Sequence, residues 1–184
     1  GSEYFHQKLP YHLAIVTDEY MLNFYRDAFE RVTYVRPSEV EDVIAGGFDL
    51  FLYVTCWKGI DDEEWRGVKF REAPQNALER LLQHTREQGI PSLFQSIEDP
   101  SNFEYFLPIA EQFDHVFTSD TDCLDRYRDE LGHDRVAYAE YGANPLLNNP
   151  IGSYRHTIDR AFFAGSYPQR YPERVDDMHV LFDS

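Results

Sequence analysis

The sequence predicts an α/β domain over residues 1–150, a three-layer, Rossmann-like unit around a mostly parallel sheet. Three observations carry this expectation. Short apolar runs alternate with amphipathic stretches along the chain. The strongest run, residues 48–55, is apolar or aromatic at nearly every position, as a strand covered on both faces requires. Glycines, prolines and capping residues separate the segments.

The elements follow in order. Residues 12–17 read as a buried strand, after which Asp18 starts a helix. Tyr20, Met21, Phe24, Tyr25, Ala28, Phe29 and Val32 recur at helical spacing and predict a helix running to about Val32. Thr33–Val35 is a second strand, ended by Pro37, and a short helix over 38–45 is closed by Gly46-Gly47. After the strand at 48–55 comes an acidic loop, 57–71, long enough to mark it as functional. A helix over 73–88 buries Ala77, Leu78, Leu81 and Leu82 and stops at Gly89. Residues 91–97 form the next strand. Ser101 and Glu104 have capping-box spacing for a helix that Pro108 kinks or shortens. His115–Thr118 is a strand, Ser119 and Asp122 spell a second capping box, and Gly132 ends the helix that follows. Residues 135–139 are a sixth strand. Beyond 150, residues 161–166 read as one more strand entering a glycine turn, and Pro172 begins a helix. Residues 151–184 are thus expected to be a linker and the truncated opening of a second domain, or a unit folded back on the first.

Composition narrows the function. Lys and Arg number 17 against 33 Asp and Glu, for a net charge of −16. That field opposes nucleic acid and anionic membrane surfaces, so no nucleic-acid partner is expected. No apolar run of about 18 residues spans a bilayer, and no signal-peptide pattern opens the chain, so a cytoplasmic location is expected. Gly1-Ser2 reads as a cloning remnant, which leaves upstream signals open. Cys56 and Cys123 match no metal or redox spacing and are expected to be reduced thiols. The seven histidines form no ligand pattern.

No glycine-rich dinucleotide, P-loop or nucleophile-elbow motif is present. In an open α/β sheet, ligands sit beyond the C-terminal strand ends. That rule nominates Thr17, Asp18, Thr55, Trp57, Lys58, Ser96, Glu98, Asp99, Ser119 and Asp120. Glu98 and Asp99 pair two carboxylates beside a helix start, suited to acid–base work or to anionic capping. Asp120-Thr121-Asp122 has the spelling of a metal-binding D-x-D, but its place at a helix start favours a local structural role, and no metal is expected. Arg155, Arg160, Arg170 and Arg174 make the one locally basic segment; with Gly165-Ser166 opening a helix it would meet a phosphate.

Several stretches carry a resemblance: Ser96-Ile97-Glu98-Asp99-Pro100, Phe113 through Asp120, Tyr127 through Gly132, Asn148-Asn149-Pro150, and Phe163-Ala164-Gly165-Ser166-Tyr167 with Arg170 through Arg174. Together they resemble the CgeB-like, spore-maturation and glycosyltransferase-like group. The resemblance implies the GT-B fold, in which two Rossmann-like domains face a cleft. Residues 1–150 would be the acceptor-side domain, and 151–184 the start of the nucleotide-sugar-binding one. It implies a nucleotide-sugar donor held mainly by the second domain, a glycan or surface-polymer acceptor, and no metal cofactor. Asp18, Glu98 and Asp99 are then candidates for the base or for holding acceptor hydroxyls. Thr17, Tyr20, Trp57, Ser96, Tyr141, Gly165, Ser166 and Arg170 are candidates for binding substrate, with Trp57, Tyr20 and Tyr141 stacking on sugar rings. A noncatalytic module for a polymer or protein partner is the other class. A response-regulator-like domain is disfavoured, because Asp49 precedes its strand instead of ending one.

Overall fold

A computed structural model of the chain describes residues 7–60, 63–148 and 172–182. The chain divides into two compact units, residues 1–149 and 150–184. In the second, the described residues form one helix, Pro172–Phe182. The strand expected at 161–166, and with it Gly165, Ser166 and Arg170, lies outside the described residues.

The first unit alternates strands and helices: β1 (Leu9–Val16), α1 (Glu19–Tyr25), β2 (Phe29–Tyr34), a 3-10 turn (Pro37–Glu39), α2 (Val40–Gly46), β3 (Leu50–Val54), α3 (Glu72–Gln88), β4 (Ser92–Ser96), α4 (Phe103–Ala110), β5 (His115–Thr118), α5 (Cys123–Leu131) and β6 (Val136–Tyr138). The strands form one sheet in the order β2-β1-β3-β4-β5-β6, every neighbouring pair parallel. A mixed α/β domain with a parallel sheet flanked by helices is therefore established. Its first five strands follow the order 2-1-3-4-5 of the flavodoxin-like doubly wound layout, with β6 added beyond β5 and the switch point between β1 and β3. Leu50, Tyr53, Phe94 and Phe117 all belong to this sheet.

The sheet separates two cores, because successive strand side chains point to opposite faces. On one face Ala14, Val16, Phe51, Tyr53, Phe94 and Val116 meet residues of α2, α3, α4 and α5. Here Tyr53 stacks on Phe94 at 6.0 Å with an interplanar angle of 5°. On the other, Leu13, Ile15, Leu52 and Val54 meet Met21 of α1. Right-handed crossovers produce this division: the chain steps one way from β1 to β2, and the opposite way from β2 onward.

The long loop before α3 is anchored. Trp65 is 1% exposed, and its Nε1 donates to the Val35 carbonyl at 2.8 Å. Gly59, at φ +79°, lies where a Cβ would come within 2.5 Å of the Tyr34 hydroxyl and 2.9 Å of Trp65 Cδ1. Only glycine fits both that backbone angle and that gap.

Several expectations are corrected. The first helix ends at Tyr25, and Phe29 and Val32 lie in β2. Both residues fit helical spacing, but a turn at residues 26–28 lets an aromatic and β-branched segment pair along β1 instead. The first strand begins earlier, at Leu9. Neither capping box forms: α4 is entered from Asn102 and α5 from Asp122, both without a side-chain cap. Glu104, the intended partner of Ser101, instead pairs with Arg126 of α5. Pro108 lies inside α4, which at eight residues is as short as the sequence leads one to expect.

Candidate functional site

The connections that leave β1, β3 and β4 bring the sequence-nominated residues to the C-terminal edge of the sheet. Asp18 caps α1: its Oδ1 accepts from the Met21 amide at 2.9 Å. The helix is short, so this bond satisfies one of the donors that the first turn leaves free. Thr17, fully buried at the end of β1, has a hydroxyl without a hydrogen-bond partner among the described residues. Thr55 ties the next two connections together, its Oγ1 accepting from the Ile97 amide at 3.0 Å.

Trp57 follows β3 and is 47% exposed. Its Nε1 donates to Glu98 Oε1 at 3.1 Å, while Asn102 Nδ2 donates to Glu98 Oε2 at 2.7 Å. Each carboxylate oxygen keeps spare lone-pair capacity, so Glu98 is oriented yet still able to accept from a ligand. Tyr141, after β6, reaches back and donates to the Ile97 carbonyl at 2.5 Å. Burial raises its phenol above the usual range, the Ser119 side chain opposes this, and Glu98, Tyr20 and Asp18 add to the rise. Five nominated residues, Asp18, Tyr20, Trp57, Glu98 and Tyr141, thus share one electrostatic neighbourhood. Tyr20 and Tyr141 are 63% and 51% exposed, so their rings face solvent there.

Asp99 belongs to a different environment. Its Oδ2 accepts from Thr118 Oγ1 at 2.6 Å and its Oδ1 from the Tyr127 hydroxyl at 3.3 Å. Burial raises its carboxyl above the ordinary value, partly offset by Thr118, Ser96 and Tyr127. Desolvation dominates because the ionised form loses water that these donors only partly replace. Ser96, fully buried, lies on the same inner side and has no hydrogen bond of good geometry. Glu98 and Asp99, adjacent in sequence, therefore do different work: one faces the rim, the other braces β4 against β5 and α5.

Asp120 accepts from the Asp122 amide at 2.8 Å through Oδ1, and its own amide donates to Thr118 Oγ1 at 3.1 Å. The D-x-D spelling is thus a local turn. Among the described residues no three His, Cys, Asp or Glu side chains are grouped to hold a metal. Lys58, a cation on the same edge, is engaged with Glu63 at 3.0 Å. The rim is acidic and aromatic.

Sequence reasoning missed Asn102, Thr118 and Tyr127 as partners of the two carboxylates. Tyr127 reads as an ordinary helix-core position, and nothing in its spacing marks the hydroxyl. Thr118, which ends β5, could have been found by the same strand-end rule that found Thr55.

No family model matches the chain, and no curated protein or solved structure gives a significant match. None of the described helices is long and apolar enough to cross a membrane.

Proposed function

We propose that residues 1–149 bind the sugar acceptor of a glycosyl-transfer enzyme of the GT-B type. The observation that carries this is the pairing of Trp57 with Glu98 on a rim shared with Asp18, Tyr20 and Tyr141. Sugars offer an apolar C–H face and a polar hydroxyl edge. Exposed aromatic faces suit the first and oriented carboxylates the second. Asp18 is the group suited to take a proton from an acceptor hydroxyl: it is half-buried, and one of its oxygens accepts no hydrogen bond from the described residues. Glu98 orients the acceptor, and Asp99 serves as a brace beneath it. Among the described residues the rim's cation, Lys58, is already paired with Glu63, so we assign the nucleotide-sugar elsewhere. The stretch with Gly165, Ser166 and Arg170 is the candidate from the sequence, and it lies outside the described residues.

A second reading is a noncatalytic sugar-binding module. One observation favours it: Asp18, Glu98 and Asp99 each already accept a hydrogen bond. Calorimetry of the whole protein with glycan oligomers and nucleotide-sugars, followed by product analysis of donor–acceptor mixtures, separates the two. Glycan binding weakened by Glu98→Gln, with transfer abolished by Asp18→Asn, supports the enzyme. Glycan binding without transfer from any donor supports the module. A protein that binds no glycan sinks both.

A further inference from the structure

Beyond Trp57 the rim continues into a ring cluster that acceptor orientation at Asp18 and Glu98 leaves unused: Trp57 and Phe70 are exposed, Tyr105 between them is half-buried, and Phe106 belongs to the core beneath. The Trp57 ring lies 4.9 Å from Tyr105 and 5.3 Å from Phe106. Tyr105 lies 6.2 Å from Phe70, which is 74% exposed at the end of the long loop. Lys69 sits over the Tyr105 ring at 4.5 Å. A single exposed phenylalanine needs no explanation, but a row of rings ending at an oriented carboxylate is different. The rings meet at angles of 41° and 65°, a stepped apolar surface that starts at the Trp57–Glu98 pair.

From this ledge, and resting on the sugar-acceptor reading above, we infer that the ligand is an oligosaccharide without acidic groups, reaching from Trp57 to Phe70. Charge fixes the last part of the statement. Asp18, Glu98 and Asp120 stand on the rim, and the chain carries a net charge of −16. The nearby cations are already engaged: Lys58 and Arg66 pair with Glu63, Lys69 faces the Tyr105 ring, and Arg71 donates to the Arg66 carbonyl. Like charges juxtaposed across an interface suppress the wrong partner, so uronic-acid or phosphate-linked polymers are repelled while neutral and amine-bearing sugar chains are accepted.

The test is calorimetry of the whole protein with three probes: chitotetraose, its N-acetylglucosamine monomer, and tetragalacturonate. Phe70 is largely exposed, so Phe70→Ala leaves the fold intact, which circular dichroism checks. It is expected to weaken chitotetraose binding about tenfold and leave the monomer unchanged, with Phe70→Trp restoring the tetramer. Tetragalacturonate is expected to bind at least about tenfold more weakly than chitotetraose at low salt, the gap narrowing as salt rises. If Phe70→Ala changes nothing while Trp57→Ala and Glu98→Gln weaken binding, the ledge is overturned and the rim stands. Equal binding of tetragalacturonate overturns the charge selection. Failure of the unaltered protein to bind either neutral probe overturns the rim and the ledge together.

Discussion

The indole of Trp57 and the carboxylate of Glu98, 41 positions apart, are joined by a 3.1 Å hydrogen bond across the C-terminal ends of β3 and β4. The bond fixes the ring plane at the rim and leaves it 47% exposed. The second tryptophan, Trp65, is 1% exposed. Acrylamide quenching of the native protein should therefore resolve one accessible and one shielded emitter. Trp57→Phe should remove the accessible component, and a bound sugar should shield it. A single quenching class in the native protein would contradict the rim geometry.

Trp65 should contribute far more to stability than Trp57. Removing a buried tryptophan costs about 3–5 kcal/mol in cavity and transfer terms, and Trp65→Ala also leaves the Val35 carbonyl without its donor. Urea unfolding should place Trp65→Ala at least about 2 kcal/mol below Trp57→Ala. Gly59→Ala should share the defect, since its new methyl would strike both Tyr34 and Trp65.

Asp114 should make stability depend on pH. Burial works against its ionisation, yet the Ser92 hydroxyl and amide, with His115 and Arg135, outweigh that and hold the carboxyl below its usual range. A carboxyl lower in the folded state binds fewer protons there than when unfolded. Its contribution is thus present above the ordinary value of 3.8, and it is lost as pH falls through the folded value. Asp114→Asn should lower urea stability at pH 7 and converge with the native protein near the acid limit. A gap that stays constant down to that limit would assign the loss to packing instead.

Both cysteines should be inert in the native state. Burial pushes the Cys56 thiol up to about 12 and the Cys123 thiol up to about 11. Since the thiolate is the reactive form, labelling with a thiol reagent at pH 8 should be slow for both and should become fast only on unfolding. Rapid native labelling of either would contradict its burial.

The legible parts of the fold were those in which local pattern and tertiary setting agree. The run at 48–55 reads as a doubly covered strand because nearly every position is apolar, and β3 occupies its uninterrupted apolar part, Leu50–Val54. Asp18 reads as a helix start because its carboxylate needs only the Met21 amide three residues on. Phe29 and Val32 read as helical because their i, i+3 spacing continues the helical stripe; the strand is decided by pairing with β1, which local pattern does not contain. The site divides likewise. Strand-end position finds Asp18, Trp57 and Glu98. It cannot tell Glu98 from Asp99, whose difference is made by Thr118 and Tyr127 on distant elements. Phe70 escapes notice because its ring neighbour is Tyr105, which arrives from α4.

Asn144, 4% exposed, donates to the Asn23 carbonyl and to Asp27 Oδ2, each at 2.8 Å, across a separation of 121 and 117 positions. The far end of the first helix is thus finished by almost the last turn of its own unit. During synthesis β1 and α1 leave the ribosome early but lack this closing partner until position 144 emerges. Truncated chains ending before it should therefore show their earliest defect at the amino-terminal helix rather than at the cut.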